Sequence, residues 1–145
     1  MQTAKQTDKL NLVYTIFCDD VRFELGNKLS LMGVFQNIIV QQLPVSLYKF
    51  AVVNQWRGEG TYLSEVRILT PDRQQPVIVS QPTRIEMAPG AFTHNISFFG
   101  NVVFHTPGQY WVQTLIDSTL FDEQPLTIVS TSPGPPSDEA SEAVN

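Results

Sequence analysis

The chain has 145 residues, of which 42% are hydrophobic and 16% are charged, and its formal net charge is −5. This length suits one domain of ~100–150 residues, and the acidic balance disfavours a nucleic-acid partner, whose phosphates require a basic face. No apolar run approaches the ~20 residues of a membrane-spanning helix. The N-terminal residues lack a basic, apolar signal with a small-residue cleavage site, and the single cysteine cannot form an internal disulfide. We therefore expect a cytoplasmic protein without membrane insertion.

The two ends of the chain differ in composition from its middle. Residues 1–9 are polar and are predicted to be a flexible N-terminus. Residues 130–145 are rich in proline, serine and acidic residues, with almost nothing to bury, so we predict a disordered acidic tail. The folded domain is accordingly predicted to span residues 10–129.

Within that domain the apolar residues repeat with a period of two, which indicates half-buried β-strands. The predicted strands are, in chain order, Leu12–Cys18, Leu29–Val40, Tyr48–Trp56, Tyr62–Leu69, Val77–Met87, 93–104, Tyr110–Ile116 and Leu126–Val129. Turn signals separate them at Gly26-Asn27, Pro44, Gly58-Glu59-Gly60, Pro71-Asp72, Pro89-Gly90 and Pro107-Gly108. No window longer than one turn combines helical spacing with a cap.

Short strands at this spacing are typical of an antiparallel sandwich or a small closed sheet. Tyr110 follows a Pro-Gly turn at the start of a strand, like the tyrosine corner of immunoglobulin-like sandwiches, whose phenol caps backbone groups. Trp56 takes a place like that of their core tryptophan. The inter-sheet disulfide is absent, so burial of large side chains, at ~1.5–3 kcal/mol each, must hold the sheets together. We predict an all-β, immunoglobulin-like antiparallel β-sandwich of seven to eight strands.

Two segments carry a resemblance to a known family: CDDVRFELGNKLSLMGVFQNIIVQQLP (Cys18–Pro44) and PGQYWVQTLIDSTLFDEQPLTIV (Pro107–Val129). They resemble an uncharacterised bacterial domain family of unknown function whose members are short and predicted to be immunoglobulin-like sandwiches. The most specific parts are the Asp-Asp-x-Arg-x-Glu segment and the Gly-x-Tyr strand, and the resemblance covers most of residues 11–129. It implies the fold, and because the family has no established activity, it implies no functional residues.

The densest acidic cluster lies between the first two predicted strands and consists of Asp19, Asp20 and Glu24. Three carboxylates could hold part of the shell of Ca²⁺, which takes six to eight oxygen ligands, but they lack the spacing of an EF-hand loop. A site would need further donors from the last hairpin, which offers Asp117, Asp122 and Glu123. An immunoglobulin-type crossover places the two loops at opposite ends, whereas simple up-down alternation places them together. The interpretation we prefer is a turn, in which an aspartate accepts backbone N–H groups and Arg22 pairs with a carboxylate.

Residues suited to catalysis are sparse. A nucleophile requires a base within hydrogen-bond reach, and the two histidines, His94 and His105, have an odd separation that directs them to opposite faces of a regular strand. Cys18 lies in an apolar strand before two acids, which raise a thiol pKa. The chain lacks a phosphate-binding glycine loop and enough ligands for a zinc site. We therefore predict a protein that is not an enzyme and has no cofactor.

Exposed apolar surface is the remaining functional signal. If Tyr110, Val112 and Ile116 face inward, then alternate residues of that strand and of the preceding strand face outward. Contiguous exposed apolar residues mark interaction surfaces, although a covering loop, or a bulge at Gly33 or Gly100, would invert this assignment. The interface candidates are Trp111, Phe99 and Leu115.

Two functions follow from these observations. The preferred hypothesis is a non-enzymatic protein-interaction module that binds a protein partner, self-associates or forms a subunit of a larger assembly. The alternative is a sandwich that binds a small ligand or Ca²⁺ at its loop ends, with hydrolytic chemistry at Asp19, Asp20 and Glu24.

Overall fold

Eight β-strands run through the computed structural model, which describes residues 9–131. They are β1 (Leu10–Glu24), β2 (Lys28–Phe35), β3 (Asn37–Val40), β4 (Val45–Leu69), β5 (Pro76–Val79), β6 (Thr83–Phe104), β7 (Gly108–Ile116) and β8 (Thr119–Ser130). Between Lys9 and Thr131 no helix is long and apolar enough to cross a membrane. The prediction of an all-β fold is confirmed.

Two of the predicted turns are bends inside long strands. Gly58 and Gly60 have φ angles of 147° and 111°, and the pairing with β6 shifts register between them, so β4 bends there and continues. Pro89-Gly90 is likewise part of β6. The predicted strand Leu29–Val40 is instead divided at Gln36 into β2 and β3. Glycines with positive φ angles permit such bends without ending the strand.

The strands form one curled mixed sheet. The order along it is β2-β1-β4-β7-β8-β3, and β5 and β6 pair with β4. The pairing of β3 with β8 is parallel, with Asn37 opposite Thr127, so the prediction of a purely antiparallel sheet is wrong at this edge. The other pairings are antiparallel.

The bend in β4 folds the sheet back over its own core. The first half of β4 pairs with β1, and the second half pairs with β7. Phe50 and Val52 from the first half share one buried apolar cluster with Val66 and Ile68 from the second half. The two halves of the sheet therefore face each other across this core, and burial of its side chains stabilises the fold at ~1.5–3 kcal/mol for each large residue.

Two aromatic residues occupy the positions predicted from the sequence. Trp56 is fully buried, and its ring lies 5.2 Å from the Phe121 ring in an edge-on contact. The Tyr110 hydroxyl donates a hydrogen bond to the Thr106 carbonyl at 2.7 Å, and its ring packs edge-on against Phe104. The predicted capping of backbone by this phenol is present in the structure.

Most of the predicted flexible N-terminus (1–9) and acidic tail (130–145) lies outside the described residues. The described chain passes the predicted domain end at residue 129, because β8 continues to Ser130. The Thr131 amide then donates to the Val40 carbonyl at 2.8 Å.

Candidate interaction surface

The open edge of β6 is the first component of a candidate interaction surface. Within residues 9–131, β6 pairs with β4 alone. From Ala91 to Phe104, no strand of the described chain is hydrogen-bonded to its second edge, and residues 78–81 line a pocket together with residues 96–100. An unpaired edge presents backbone N–H and C=O groups that can bind a strand from another chain.

Two exposed aromatic residues flank this edge on the same face. Phe92 and Phe98 are 55% and 49% exposed, and they are six positions apart, so both side chains lie on the same face of the strand. The register places Phe92 opposite Arg57, whose guanidinium carbon lies 5.5 Å from the centroid of the Phe92 ring. The face that carries both rings points away from the buried cluster that contains Phe50 and Phe99, and a smaller buried cluster around Cys18 and Ala51 lies on it.

Apolar side chains continue across this outer face. One cross-strand row runs from Phe98 through Ala51 and Cys18 to Val34. Its central members are fully buried, whereas Phe98 and Val34 at its two ends are exposed. We call the exposed pair Phe92 and Phe98, together with the open edge between Ala91 and Phe104, the β6 surface.

The structure corrects the predicted orientation of Phe99. This residue is 4% exposed, and its ring packs 5.4 Å from the Phe50 ring in the core. Asn101 has a φ angle of 55°, which interrupts the regular alternation, so Phe99 and Val102 both point into the core. Regular alternation with the buried Val102 and Phe104 would place Phe98 inside, but the interruption at Asn101 leaves it outside.

Leu115 is also inside, so its predicted outward position is wrong. It is 6% exposed. β7 lies between β4 and β8 in the sheet, and residues 112–116 are all buried. The pairing with β8 shifts register between Thr114 and Leu115, and such a bulge redirects the side chains that follow it.

Trp111 is half-buried beneath residues of its own chain. The indole Nε1–H donates to the Pro71 carbonyl at 3.3 Å, and the Arg73 guanidinium carbon lies 3.9 Å from the ring centroid. The connection between β4 and β5 therefore covers the side of Trp111 that was predicted to be free. Of the three predicted interface candidates, none presents a freely exposed side chain.

The three predicted acidic residues lie inside β1 instead of in a loop, and they have separate surroundings. Asp20 accepts the Val21 backbone N–H at 2.9 Å and pairs with Lys49 Nζ at 3.1 Å. The hydrogen bond from Val21, followed by that from Lys49, lowers the pKa of the Asp20 carboxyl. Glu24 accepts the Ser30 hydroxyl at 2.7 Å, whereas Asp19 lies against Gly33. The predicted turn is therefore wrong, since the segment is a strand. The backbone bond to an aspartate is present at Asp20, and the cation paired with it is Lys49 instead of Arg22.

The carboxylates of the last hairpin are likewise engaged one by one. Asp117 accepts the Leu63 N–H at 3.0 Å, and Asp122, which is buried, accepts the Gln124 side-chain amide at 3.0 Å. Glu123 pairs with Arg73. In the described part of the chain, no group of three or more His, Cys, Asp or Glu residues is arranged to hold a metal ion.

A polar row that sequence reasoning missed lies on the outer face beside the β6 surface. Tyr14, Gln55 and His94 are neighbours across three strands. The Tyr14 hydroxyl lies 2.9 Å from His94 Nε2, and Gln55 Nε2 lies 3.2 Å from the same atom. Burial lowers the His94 pKa and raises the Tyr14 pKa. Only the strand register, which the sequence does not reveal, brings these residues together.

The two other residues considered for catalysis lie apart from each other. His105 is exposed and follows the end of β6. Cys18 is fully buried, and burial, the largest influence, raises its pKa. A buried thiol with a raised pKa is a poor nucleophile.

Comparison with solved structures shows distant likeness to parts of larger proteins. A β-glucosidase from Listeria innocua, in complex with isofagomine, is 10% identical with a TM-score of 0.50, over 84% of this chain and 16% of that one. The Pseudomonas fluorescens alkylpurine DNA glycosylase AlkC, bound to DNA containing an abasic site analog, is 10% identical with a TM-score of 0.46, over 66% of this chain and 28% of that one. This chain thus spans less than a third of either protein. The first likeness concerns the fold alone, and the second carries no argument.

Comparison by sequence is more specific. No curated protein matches the chain. The sequence model of a family of unknown function, DUF6941, matches residues 13–129. That range includes all but the first three residues of β1 and extends almost to the end of β8. The chain therefore belongs to this family of unknown function, DUF6941.

Proposed function

We propose that this chain is a non-enzymatic, cytoplasmic protein-interaction module with an immunoglobulin-like sandwich fold, and that it self-associates through the β6 surface. The observation that carries the proposal is the open edge between Ala91 and Phe104, flanked by the exposed rings of Phe92 and Phe98. An open edge with apolar side chains beside it favours pairing with another strand. The Tyr110 phenol bond and the buried Trp56 support the immunoglobulin-like assignment.

The positions of the two phenylalanines favour a second copy of the chain as the partner. Phe92 and Phe98 are equally distant in sequence from Asn95. Antiparallel pairing of two β6 edges around Asn95 would therefore set Phe92 of one copy opposite Phe98 of the other, twice. Such a two-fold interface uses one surface on both copies, and each aromatic cross-strand pair contributes ~0.2–1 kcal/mol.

Within residues 9–131, the separate surroundings of the candidate reactive groups support the non-enzymatic part of the proposal. Each carboxylate of the acidic cluster has its own surroundings, and Asp20 is neutralised by Lys49. Cys18 is buried with a raised pKa. Among the described residues these groups do not form a nucleophile with an adjacent base, which acyl transfer by a serine or cysteine requires.

Sedimentation velocity over a range of concentrations tests the self-association. We expect a concentration-dependent dimer that Phe98→Lys converts to a monomer, because a charge on the edge opposes pairing. Phe23→Lys is the matched control, since Phe23 is also exposed but lies on β1, and it should dimerise like the unsubstituted chain. A strictly monomeric chain, or a Phe98→Lys variant that still dimerises, would overturn the proposal.

A disulfide experiment tests the register of the two-fold pairing. A Phe92→Cys chain mixed with a Phe98→Cys chain should form a covalent heterodimer under mild oxidation, because residues directly opposite each other have Cβ atoms ~4.5–5.5 Å apart. This heterodimer keeps one aromatic pair intact. Neither variant alone should cross-link, since each places its cysteine opposite a phenylalanine, and Cys18 is buried. If either cysteine variant by itself cross-links as well as the mixture does, the two edges pair in a different register and the proposed pairing is wrong.

A further inference from the structure

A cleft of about 400 Å³ opens where the two halves of the curled sheet meet without pairing. One wall is β1 at Thr15–Phe17, and the other is β8 between Gln124 and Thr127. In the described part of the chain these two strands pair with other neighbours and not with each other. The volume lies within the ~300–1,000 Å³ that is usual for small-ligand sites.

The chain between β2 and β3 holds this cleft open. Phe35, at the end of β2, pairs with Phe17 of β1, whereas Asn37, at the start of β3, pairs with Thr127 of β8. Gln36 alone spans the distance from one half of the sheet to the other, and its carbonyl accepts the Thr127 N–H at 3.4 Å. Through these pairings, the crossing connects β1 to β8 at one end of the cleft. The edges of the two strands remain unpaired with each other along the rest of it.

The polar lining of the cleft is uncharged. Its polar side chains are carboxamides and hydroxyls, belonging to Gln36, Asn37, Gln109, Gln124, Thr15 and Thr127. Carboxamides and hydroxyls both donate and accept hydrogen bonds, as the hydroxyl groups of a ligand do. A charged ligand would lose its hydration here without meeting an opposite charge. Phe35 adds apolar surface.

Buried polar groups behind both walls orient the lining. The Thr15 hydroxyl donates to Asn54 Oδ1 at 2.7 Å, so its oxygen is left to accept. Gln124 Nε2 donates to the buried Asp122 carboxylate at 3.0 Å, which leaves the Gln124 side-chain carbonyl as an acceptor. Asn54 is 0% exposed, and among the described residues its Nδ2 has no hydrogen-bond partner. A buried unpaired donor is costly, and Asn54 lies behind the cleft wall, bonded to the lining residue Thr15.

We infer that this cleft binds a neutral, polyhydroxylated small molecule of the size of a monosaccharide or disaccharide. The ligand would donate its hydroxyl protons to Thr15 and Gln124 and lay its apolar C–H face against Phe35. The cleft shares no residue with β6, so the inference does not depend on self-association.

Titration of the full-length chain, followed by ¹H–¹⁵N correlation spectra, tests the inference. The probes are glucose, galactose, maltose and cellobiose at millimolar concentration, and the charged counterparts are glucose 6-phosphate and glucuronate. We expect a neutral probe to shift the signals of Gln36, Asn37 and Gln124 saturably, and the charged ones to bind at least tenfold more weakly. The absence of saturable shifts with every neutral probe, shifts confined to residues outside the cleft, or equal binding of glucose 6-phosphate would overturn the inference.

Variants identify the site. Gln124→Leu should weaken binding at least tenfold, because it removes the acceptor that Gln124 offers to the ligand. Asn37→Leu, at a second lining position on β3 beside β8, replaces it if the first variant fails to fold. Gln42→Leu, at an exposed position outside the cleft, should bind like the unsubstituted chain. Unchanged affinity in both cleft variants would refute the assignment. Phe98→Lys should retain binding, which separates this outcome from that of the self-association experiment.

Discussion

Phe98 and Phe99 are adjacent in the chain, yet their side chains lie on opposite faces of β6. Phe99 packs against Phe50 in the core, whereas Phe98 lies beside Ala51 on the outer face. The pair therefore sets which face of β6 is available to a partner. Because the two residues have the same side chain, they also allow a direct comparison of burial.

Truncation of each ring should have very different effects on stability. We expect Phe99→Ala to lower the free energy of unfolding by about 3–4 kcal/mol, because it leaves a cavity in a closely packed core. Phe98→Ala should cost less than about 1 kcal/mol in the monomer, since half of its side chain already contacts solvent. Urea denaturation at low protein concentration measures both values, and equal losses would contradict the orientation described here.

Protonation of His94 should destabilise the fold in mildly acidic solution. Tyr14 and Gln55 both direct donors at His94 Nε2, and burial lowers the His94 pKa. In the unfolded chain the pKa returns to about 6.5. Stability should thus be complete above pH ~6.5 and should fall as the pH decreases from there through the lower folded-state pKa, since the unfolded chain then binds the additional proton.

Thermal unfolding between pH ~5 and ~7 measures this effect, because a carboxylate with a lowered pKa, such as Asp20, loses its contribution only at more acidic pH. His94→Gln should flatten the profile in that window, since its side chain does not titrate. His105→Gln, at an exposed position, should leave the profile unchanged. A flat profile for the unsubstituted chain would be the opposite of the expected result.

The stacked ion pair on the outside of β7 should be sensitive to the replacement of arginine by lysine. Arg73 forms two hydrogen bonds to Glu123 while its guanidinium lies over Trp111. Lysine cannot reproduce this planar, forked contact. We expect Arg73→Lys to lower Tm measurably, whereas Arg84→Lys, in the exposed pair with Glu86, should leave it unchanged. Equal effects in calorimetry would show that the stack contributes nothing.

The bend in β4 depends on a glycine. A Cβ atom at Gly58 would collide with the Lys9 carbonyl oxygen, whereas one at Gly90 would meet nothing within 4 Å. Both residues have positive φ angles, so alanine at either position costs about 1–3 kcal/mol from the backbone conformation. Gly58→Ala should cost more than Gly90→Ala, and the difference between their unfolding free energies measures the collision. Equal losses would mean that Lys9 can move away freely.

Local patterns account for the parts of the structure that were predicted correctly. Alternation in β7 places Tyr110, Val112 and Ile116 inside, as found. The Pro-Gly turn before Tyr110 sets its phenol next to the Thr106 carbonyl. These features arise from residues close together in sequence, so the amino-acid pattern is enough to reveal them.

The incorrect predictions lie where pairing with a distant strand, or one unusual backbone angle, overrides the local composition. Gly58-Glu59-Gly60 has the composition of a turn, but the strand continues through it because β6 follows the same bend on the adjacent edge. The positive φ angle of Asn101 interrupts the alternation of inward and outward side chains in β6. As a result, Phe98 lies outside. The acids Asp19 and Asp20 lie within β1 because the pairing of that strand with β2 extends past them.

The sequence by itself determined the all-β class, the strand periodicity and the family, because side-chain alternation and turn composition are encoded within a few neighbouring residues. The tertiary structure alone decided the open edge of β6, the row of Tyr14, Gln55 and His94, and the cleft between β1 and β8. Each of these joins residues far apart in the chain. Their positions depend on strand register and on where a long strand bends, and both are set by packing of the two halves of the sheet against a common core.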